Sequence, residues 1–203
     1  MAFPAYIDAS TGVLTDGEAW VGIATTTLGS DTASVTFTST DDGQVGDFSQ
    51  YMDLVAISYV RSDRVADSDW YSVLISGDTA ASAQYVTQKL RGNGSGASAA
   101  TYTYGGDSNG CIVGVISAAD ATYSANIFAS VVTTFFDVNS GKYKTLVGQS
   151  AADWDGGGEV NLWAGTHKKQ TPITSIKFYP SFGTNLKDGS TISLFGVLPR
   201  MVA

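Results

Sequence analysis

The chain is short of charge. Asp, Glu, Lys and Arg make up 15% of its 203 residues, against roughly 25% in an ordinary globular domain. Its 11 basic residues form no run. Affinity for a phosphate backbone needs clustered Lys and Arg, so direct nucleic-acid binding is excluded. The 19 acidic residues leave a net charge of −8, which serves solubility and identifies no partner. Cysteine occurs once, as Cys111. An intrachain disulfide is therefore impossible, and the fold does not depend on an oxidising compartment. The surrounding CIVGVI marks this cysteine as a small buried hydrophobe.

Histidine also occurs once, so a Ser-His-Asp or Cys-His arrangement would have to use His167. It stands in the polar stretch GTHKKQ, where an exposed or packing histidine in a loop is expected. No G-x-S-x-G elbow occurs. The glycine-rich GNGSG of residues 92–96 opens no helix and is not a phosphate loop. No apolar run approaches the roughly 20 residues that span a bilayer, so no membrane partner is expected. The opening MAFPAYIDAS has no basic segment and no long apolar stretch, which argues against a signal peptide. No repeat of 20–50 residues is visible, which disfavours propellers and solenoids.

What is present favours strands. Val, Ile, Thr and aromatics are plentiful, with 4 Trp, 10 Tyr and 9 Phe, while strong helix formers are scarce. The last stretch, residues 171–198, carries the clearest pattern. Ile176 and Phe178 alternate with Ser175, Lys177 and Tyr179, and Ile192 and Leu194 alternate with Thr191, Ser193 and Phe195. A period of two buries one set of side chains and turns the other outward. Pro172 and Pro180 bracket the first of these strands, and residues 181–190 between them form a polar turn.

Further strands are expected at residues 19–25, 33–38, 53–60, 70–76, 84–90, 101–104, 111–116, 125–136, 142–147 and 159–164. Residues 53–60, DLVAISYV, are apolar almost throughout, as in a strand covered on both faces. The charged RSDRVADSD of residues 61–69 reads as a loop of local salt bridges, and so does residues 150–158 around DWDGGG as a glycine loop. Asn-Gly at residues 109–110 is a hairpin signal. Roughly ten short strands separated by turn signals define an all-β sandwich or barrel.

The chemistry-bearing residue types form no constellation. Asp153, Asp155 and Glu159 lack the further ligands of a calcium loop. Asp63, Asp67 and Asp69 are interleaved with Arg61 and Arg64. No carboxylate pair of the glycosidase kind stands out. Trp70, Tyr71, Trp154 and Trp163 are aromatics that stack on a sugar if exposed, and anchor the core if not. No cofactor, metal or catalytic residue is expected.

Four segments, in order, carry a resemblance: DLVAISYVRSDR, LISGDTAASAQYVTQKLRGNGSGASA, SANIFASVVTTFFD and ITSIKFYPSFGTNLKDGSTISLFGV. Together they resemble a loosely defined family of tailed-phage virion proteins, over about residues 50–198. The resemblance implies an antiparallel, jelly-roll-like β-sandwich displayed on a virion, commonly as a trimer. It implies a non-enzymatic capsid decoration (cement) protein, assembled in the host cytoplasm, whose partner is the major capsid protein. The alternative is a tail fibre, receptor-binding or adaptor protein that recognises a host surface glycan. The sequence departs from the family's pattern at its end, in LFGVLPR and the tail LPRMVA. About 50 residues precede the matched part, which suits a stand-alone cement module better than a fibre. Residues 1–12 are expected to be an arm and residues 13–203 the sandwich. Candidate capsid or partner contacts are Phe3, Tyr6 and Ile7 in the arm and Arg200, Met201 and Val202 in the tail.

Overall fold

The computed structural model describes residues 20–79, 84–102, 110–118, 126–154 and 157–198. The expected arm of residues 1–12 and the tail contacts Arg200, Met201 and Val202 lie outside the described residues, as does the start of the Asn-Gly turn. The described residues form twelve strands and one 3-10 turn, Phe48–Gln50. The strands are β1 Trp20–Thr27, β2 Val35–Thr38, β3 Asp53–Val60, β4 Ser68–Ile75, β5 Tyr85–Gly92 and β6 Ala97–Tyr102. They continue with β7 Cys111–Ser117, β8 Ala129–Phe136, β9 Lys144–Asp153, β10 Gly158–His167, β11 Ser175–Pro180 and β12 Thr191–Val197.

Two antiparallel sheets pack into a sandwich. The larger runs β1-β12-β3-β8-β9-β10-β5-β6 and the smaller β2-β11-β4-β7. Four pairings are nested: β1 with β12, β2 with β11, β3 with β8 and β4 with β7. A single ribbon of paired strands folded over on itself gives this order, with alternate pairs falling in opposite sheets. That is the jelly roll, as expected. Two hairpins are added to it. β5-β6 leaves the ribbon between β4 and β7, β9-β10 leaves it between β8 and β11, and together they extend the larger sheet beyond β8.

The last stretch of the chain is central to both layers. β11 lies between β2 and β4, and β12 between β1 and β3. Their alternation is met residue for residue: Ile176, Phe178, Ile192 and Leu194 are fully buried. Phe178 joins the layers. It stacks on Tyr71 of β4 at 5.6 Å and meets Phe37 of β2 edge-on at 6.2 Å. Across the core it meets Phe135 of β8 edge-on at 6.3 Å. Offset and edge-on pairs of this kind add about 0.5–1.5 kcal/mol each beyond area burial.

Several expectations need correction. The stretch at residues 150–158 is not one loop. β9 runs on to Asp153 and β10 begins at Gly158, in unbroken register from Gly158–Asp153 to His167–Lys144. Its inward positions are small or polar (Ser150, Ala152), so the burial period carries no hydrophobic signal. Strand β8 starts at Ala129 rather than 125. His167 is not in a loop; it ends β10 and is 2% exposed. β3 is covered on both faces only in its first half, since Ile57 and Tyr59 are exposed.

The acidic segment at residues 61–69 is also not a solvated loop of salt bridges. Asp69 opens β4 and is fully buried. It accepts N–H bonds from Trp70 at 2.7 Å, Phe182 at 3.0 Å and Gly183 at 2.8 Å. Asp63 accepts from the backbone N–H of Thr184 and Asn185 at 2.8 and 2.9 Å, and from the Asn185 side chain at 2.8 Å. Burial by itself raises the pKa of Asp63, but the Asn185 and Thr184 donors outweigh it and hold the carboxyl below its ordinary value. Asp63 of the β3–β4 connection and Asp69 of β4 thus fasten the β11–β12 connection over residues 182–185. The reason is the accounting of backbone donors: a turn held against the body of the protein must satisfy its N–H groups somewhere.

Candidate interaction surface

In a sandwich each sheet turns one face to the opposite layer and the other away from it. On the outward face of the larger sheet no strand of the described residues is packed. Seven of the twelve large apolar side chains exposed in the described structure lie on it: Ile57, Tyr59, Leu90, Val132, Phe136, Val160 and Leu162. The register aligns four of them in one row. Leu90 of β5 pairs with Leu162 of β10, Leu162 with Gln149 of β9, Gln149 with Val132 of β8, and Val132 with Ile57 of β3. A second row runs Val160, Ala151, Ser130, Tyr59. Val160 is 66% exposed, Leu90 55% and Tyr59 52%.

The face is concave. A hollow of about 700 Å³ is lined by Leu90, Val132, Gln149, Ala151, Val160 and Leu162, among others. A second, of about 890 Å³, adjoins it toward Tyr59, Phe128, Asn93 and Asn126. Tyr59 stacks on Phe128 at 5.3 Å. The outward positions are uncharged from Ser130 to Phe136 on β8, from Thr145 to Ala151 on β9 and from Val160 to Thr166 on β10. The same holds from Val86 to Leu90 on β5 and for Ile57 and Tyr59 on β3. Most charges of these strands are turned to the other side, but Asp153 is exposed on the outward face of β9 and lines the second hollow, and Arg91 lines the first. Glu159 is paired with Arg91, and Lys89 lies 5.1 Å over the Trp163 ring.

Most of the residues singled out for chemistry fall elsewhere, but Asp153 and Glu159 line the second hollow. Trp163 and Tyr71 are fully buried, and Trp154 is nearly so. Trp70 packs edge-on against Trp163 at 6.4 Å and against Phe182 at 5.0 Å. These rings anchor the core rather than present a sugar platform. Asp153 ends β9 and Glu159 is buried in its ion pair; Asp155 lies outside the described residues. Among the described residues, no three His, Cys, Asp or Glu side chains gather closely enough to hold a metal ion. Among the described residues, no helix is long and apolar enough to cross a membrane. Cys111 is buried beside Thr87 at 3.4 Å. Burial pushes its thiol up to about 11, which leaves it protonated and inert.

His167 is held by its surroundings. Its Nε2 lies 3.0 Å from Asp78 Oδ2, its ring stacks on Tyr85 at 4.8 Å, and Lys144 and Lys169 stand nearby. Burial lowers its pKa, and this outweighs the raising pull of Asp78. A histidine harder to protonate folded than unfolded costs stability as pH falls below the unfolded value of about 6.5. Wild-type stability is therefore expected to decline as pH falls below about 6.5. His167→Gln should lack that part of the decline when urea unfolding is followed across the same range. Equal slopes for the two proteins would show that His167 does not titrate differently on folding.

No family model matches the sequence, and no curated protein matches it. Among solved structures, the chain aligns with the leech intramolecular trans-sialidase complexed with 2,7-anhydro-Neu5Ac. The identity is 14% and the TM-score 0.28, over 88% of this chain and 26% of that one. The chain thus spans about a quarter of the leech enzyme. It also aligns with the CBM40 of the Ruminococcus gnavus IT-sialidase at 10% identity and a TM-score of 0.26, over 90% and 95% of the two chains. Likeness this slight carries no conclusion about ligand or activity.

Proposed function

We propose that the chain is a structural protein of a tailed-phage virion. Within that class the best reading is a capsid decoration protein that sits as a trimer on the outer capsid surface and stabilises the head. One observation carries the proposal. The four ordered segments that resemble virion proteins hold β3, β5, β8, β11 and β12, and β3, β8, β11 and β12 each belong to one of the nested jelly-roll pairs. The resemblance and the topology therefore call for the same module on the same residues.

The physics of such a role is passive. A rigid sandwich buries surface across the junctions between capsid subunits, and the binding free energy opposes the pressure of packaged DNA. A trimer engages three contacts at high effective concentration, so all must release together. Phe3, Tyr6 and Ile7, with Arg200, Met201 and Val202, are the proposed capsid contacts. Purified chain is expected to bind heads that lack it and to raise the temperature at which they rupture. Deleting residues 1–12 should weaken that binding at least tenfold. Full-length chain that leaves such heads unbound would overturn the decoration reading.

A tail receptor-binding protein is the second reading. One feature favours it: Tyr59 stands exposed beside a hollow lined by Asn93, Asn126 and Ser130, an aromatic plate with amide and hydroxyl neighbours of the kind that seats a sugar ring.

A further inference from the structure

We propose that the second hollow, along Gly92, Val160, Ala151, Ser130 and Tyr59, is a binding site for a neutral saccharide chain. That assignment rests on the receptor-binding reading, in which Tyr59 seats a sugar ring, and it adds which sugars the site takes and which it refuses. It does not depend on the decoration reading.

Register builds the hollow. Gly92 of β5 pairs with Val160 of β10, Val160 with Ala151 of β9, Ala151 with Ser130 of β8, and Ser130 with Tyr59 of β3. All five line the hollow. Adjacent strands lie about 4.8 Å apart, so the row runs about 19 Å across the sheet. Gly92, Ala151 and Ser130 carry little or no side chain, which sinks the floor. A Cβ on Gly92 would meet nothing within 4 Å, so the depth there is a consequence of glycine. The volume, about 890 Å³, falls in the roughly 300–1,000 Å³ of small-molecule sites. A length of five strands suits a linear chain of rings better than a single ring.

The lining has the mixture a sugar needs. A sugar ring presents an apolar C–H face and a rim of hydroxyls. Tyr59 is 52% exposed and is held by stacking on Phe128 at 5.3 Å. The face of an aromatic ring carries partial negative charge and attracts C–H groups. Asn93 and Asn126 line the same hollow and are exposed. An amide side chain offers both donors and an acceptor to hydroxyls. Asn93 Oδ1 accepts from the Ser95 N–H at 3.3 Å and from the Ser95 hydroxyl at 3.1 Å, which fixes the amide with its NH2 group as the donor. Ser130 adds a hydroxyl.

Charge selects the sugar. The hollow is lined by two carboxylates, Asp153, exposed at the end of β9, and Glu159. Among the described residues that line it, none is Lys or Arg. Arg91, which reaches the adjoining hollow, is already paired with Glu159. The chain as a whole carries a net charge of −8. A carboxylated, sulfated or phosphorylated sugar would meet like charge here and no cation, which opposes binding. A neutral sugar would donate its hydroxyls to the Asp153 carboxylate, in bonds shorter and stronger than those between neutral groups.

The test is titration of the purified full-length chain, by calorimetry and saturation-transfer NMR, with unbranched oligomers of glucose, mannose, galactose and N-acetylglucosamine. Oligogalacturonate and sialyllactose are the acidic probes. Wild type is expected to bind at least one neutral oligomer about tenfold or more tightly than either acidic probe. Tyr59→Ala should weaken that binding about tenfold or more. Tyr59→Phe keeps the ring face and should weaken it by less than about threefold. Gly92→Val fills the floor and should also weaken it about tenfold or more, with unchanged circular dichroism. This variant keeps the site testable if Tyr59→Ala does not fold. Val65→Ala, at a residue that is 86% exposed and lines neither hollow, should bind as wild type does. Preference for the acidic probes would overturn the neutral assignment and leave the receptor-binding reading standing. Binding that survives both Tyr59→Ala and Gly92→Val would overturn the location. Absence of binding to every probe would overturn the site together with the sugar plate of the receptor-binding reading.

Discussion

Asp69→Ala is expected to lower the unfolding free energy by about 3–5 kcal/mol, the range found when one partner of a buried charged contact is removed. The substitution removes the acceptor of three N–H groups, those of Trp70, Phe182 and Gly183, and Asp69 is fully buried. The loss is not local. Residues 182–185 connect β11 to β12, the strands that run through the middle of both sheets. For a chain of about 200 residues, each kcal/mol moves Tm by about 2–4 °C, so a fall of roughly 6–20 °C is expected in thermal unfolding followed by circular dichroism. Asp69→Asn keeps one carbonyl acceptor and should lose less than the alanine variant. A change under about 1 kcal/mol for Asp69→Ala would show that the turn finds its acceptors elsewhere.

Gly148→Ala is expected to be at least as damaging, for a steric reason. Gly148 faces inward on β9, and a Cβ built on it would fall on the carbonyl oxygen of Val113 in β7. The obstacle is backbone, which cannot rotate aside. The close approach of β7 is general: a Cβ on Gly114 would lie 2.9 Å from Val131, and one on Gly165 would meet the Cys111 sulfur. Glycine in β7, β9 and β10 lets the two layers pass nearer than the usual sheet spacing of about 10 Å. Adding a methyl at Gly148 must lift β7 away and open the cluster of Ile112, Val115 and Trp163 beneath it. Overpacking costs about 1–3 kcal/mol where side chains can move and more where they cannot, so a loss of about 3 kcal/mol or failure to fold is expected. Gly22→Ala is the control, because nothing lies within 4 Å of its Cβ; it should change stability by no more than about 0.5 kcal/mol. Equal stability of the two variants would mean that β7 is free to shift.

The parts of the fold legible in the sequence are those whose inward residues are large. Ile176, Phe178, Ile192 and Leu194 announced β11 and β12, and Val35 and Phe37 announced β2. β9 was only half legible, because past Leu146 its inward positions are Gly148, Ser150 and Ala152, which are small so that β7 can lie close. His167 looked like loop because Lys168 and Lys169 follow it, whereas burial against Tyr85 and Asp78 is a tertiary fact. The carboxylates at 63 and 69 looked like surface charge because most of their partners are N–H groups of residues 182–185, more than a hundred residues away.

The candidate surface was least legible of all. Alternation in Ser130–Phe136 or Val160–Thr166 tells which side chains share a face, but not which face the second sheet covers. That is set by which side of each strand meets the opposite layer, a tertiary fact. The aromatic residues that drew attention, Tyr71, Trp154 and Trp163, turned inward, and the exposed face is carried mainly by aliphatic residues that sequence alone assigns to a core.

The central claim is that this jelly roll is a component of a virion head, and the number of copies per particle tests it most directly. Quantitative mass spectrometry of purified virions, scaled to the major capsid protein, gives that number. Decoration predicts a copy number of the same order as the capsid protein. A handful of copies per particle would place the chain on the tail and contradict the decoration reading, and its absence from purified virions would contradict the virion reading altogether.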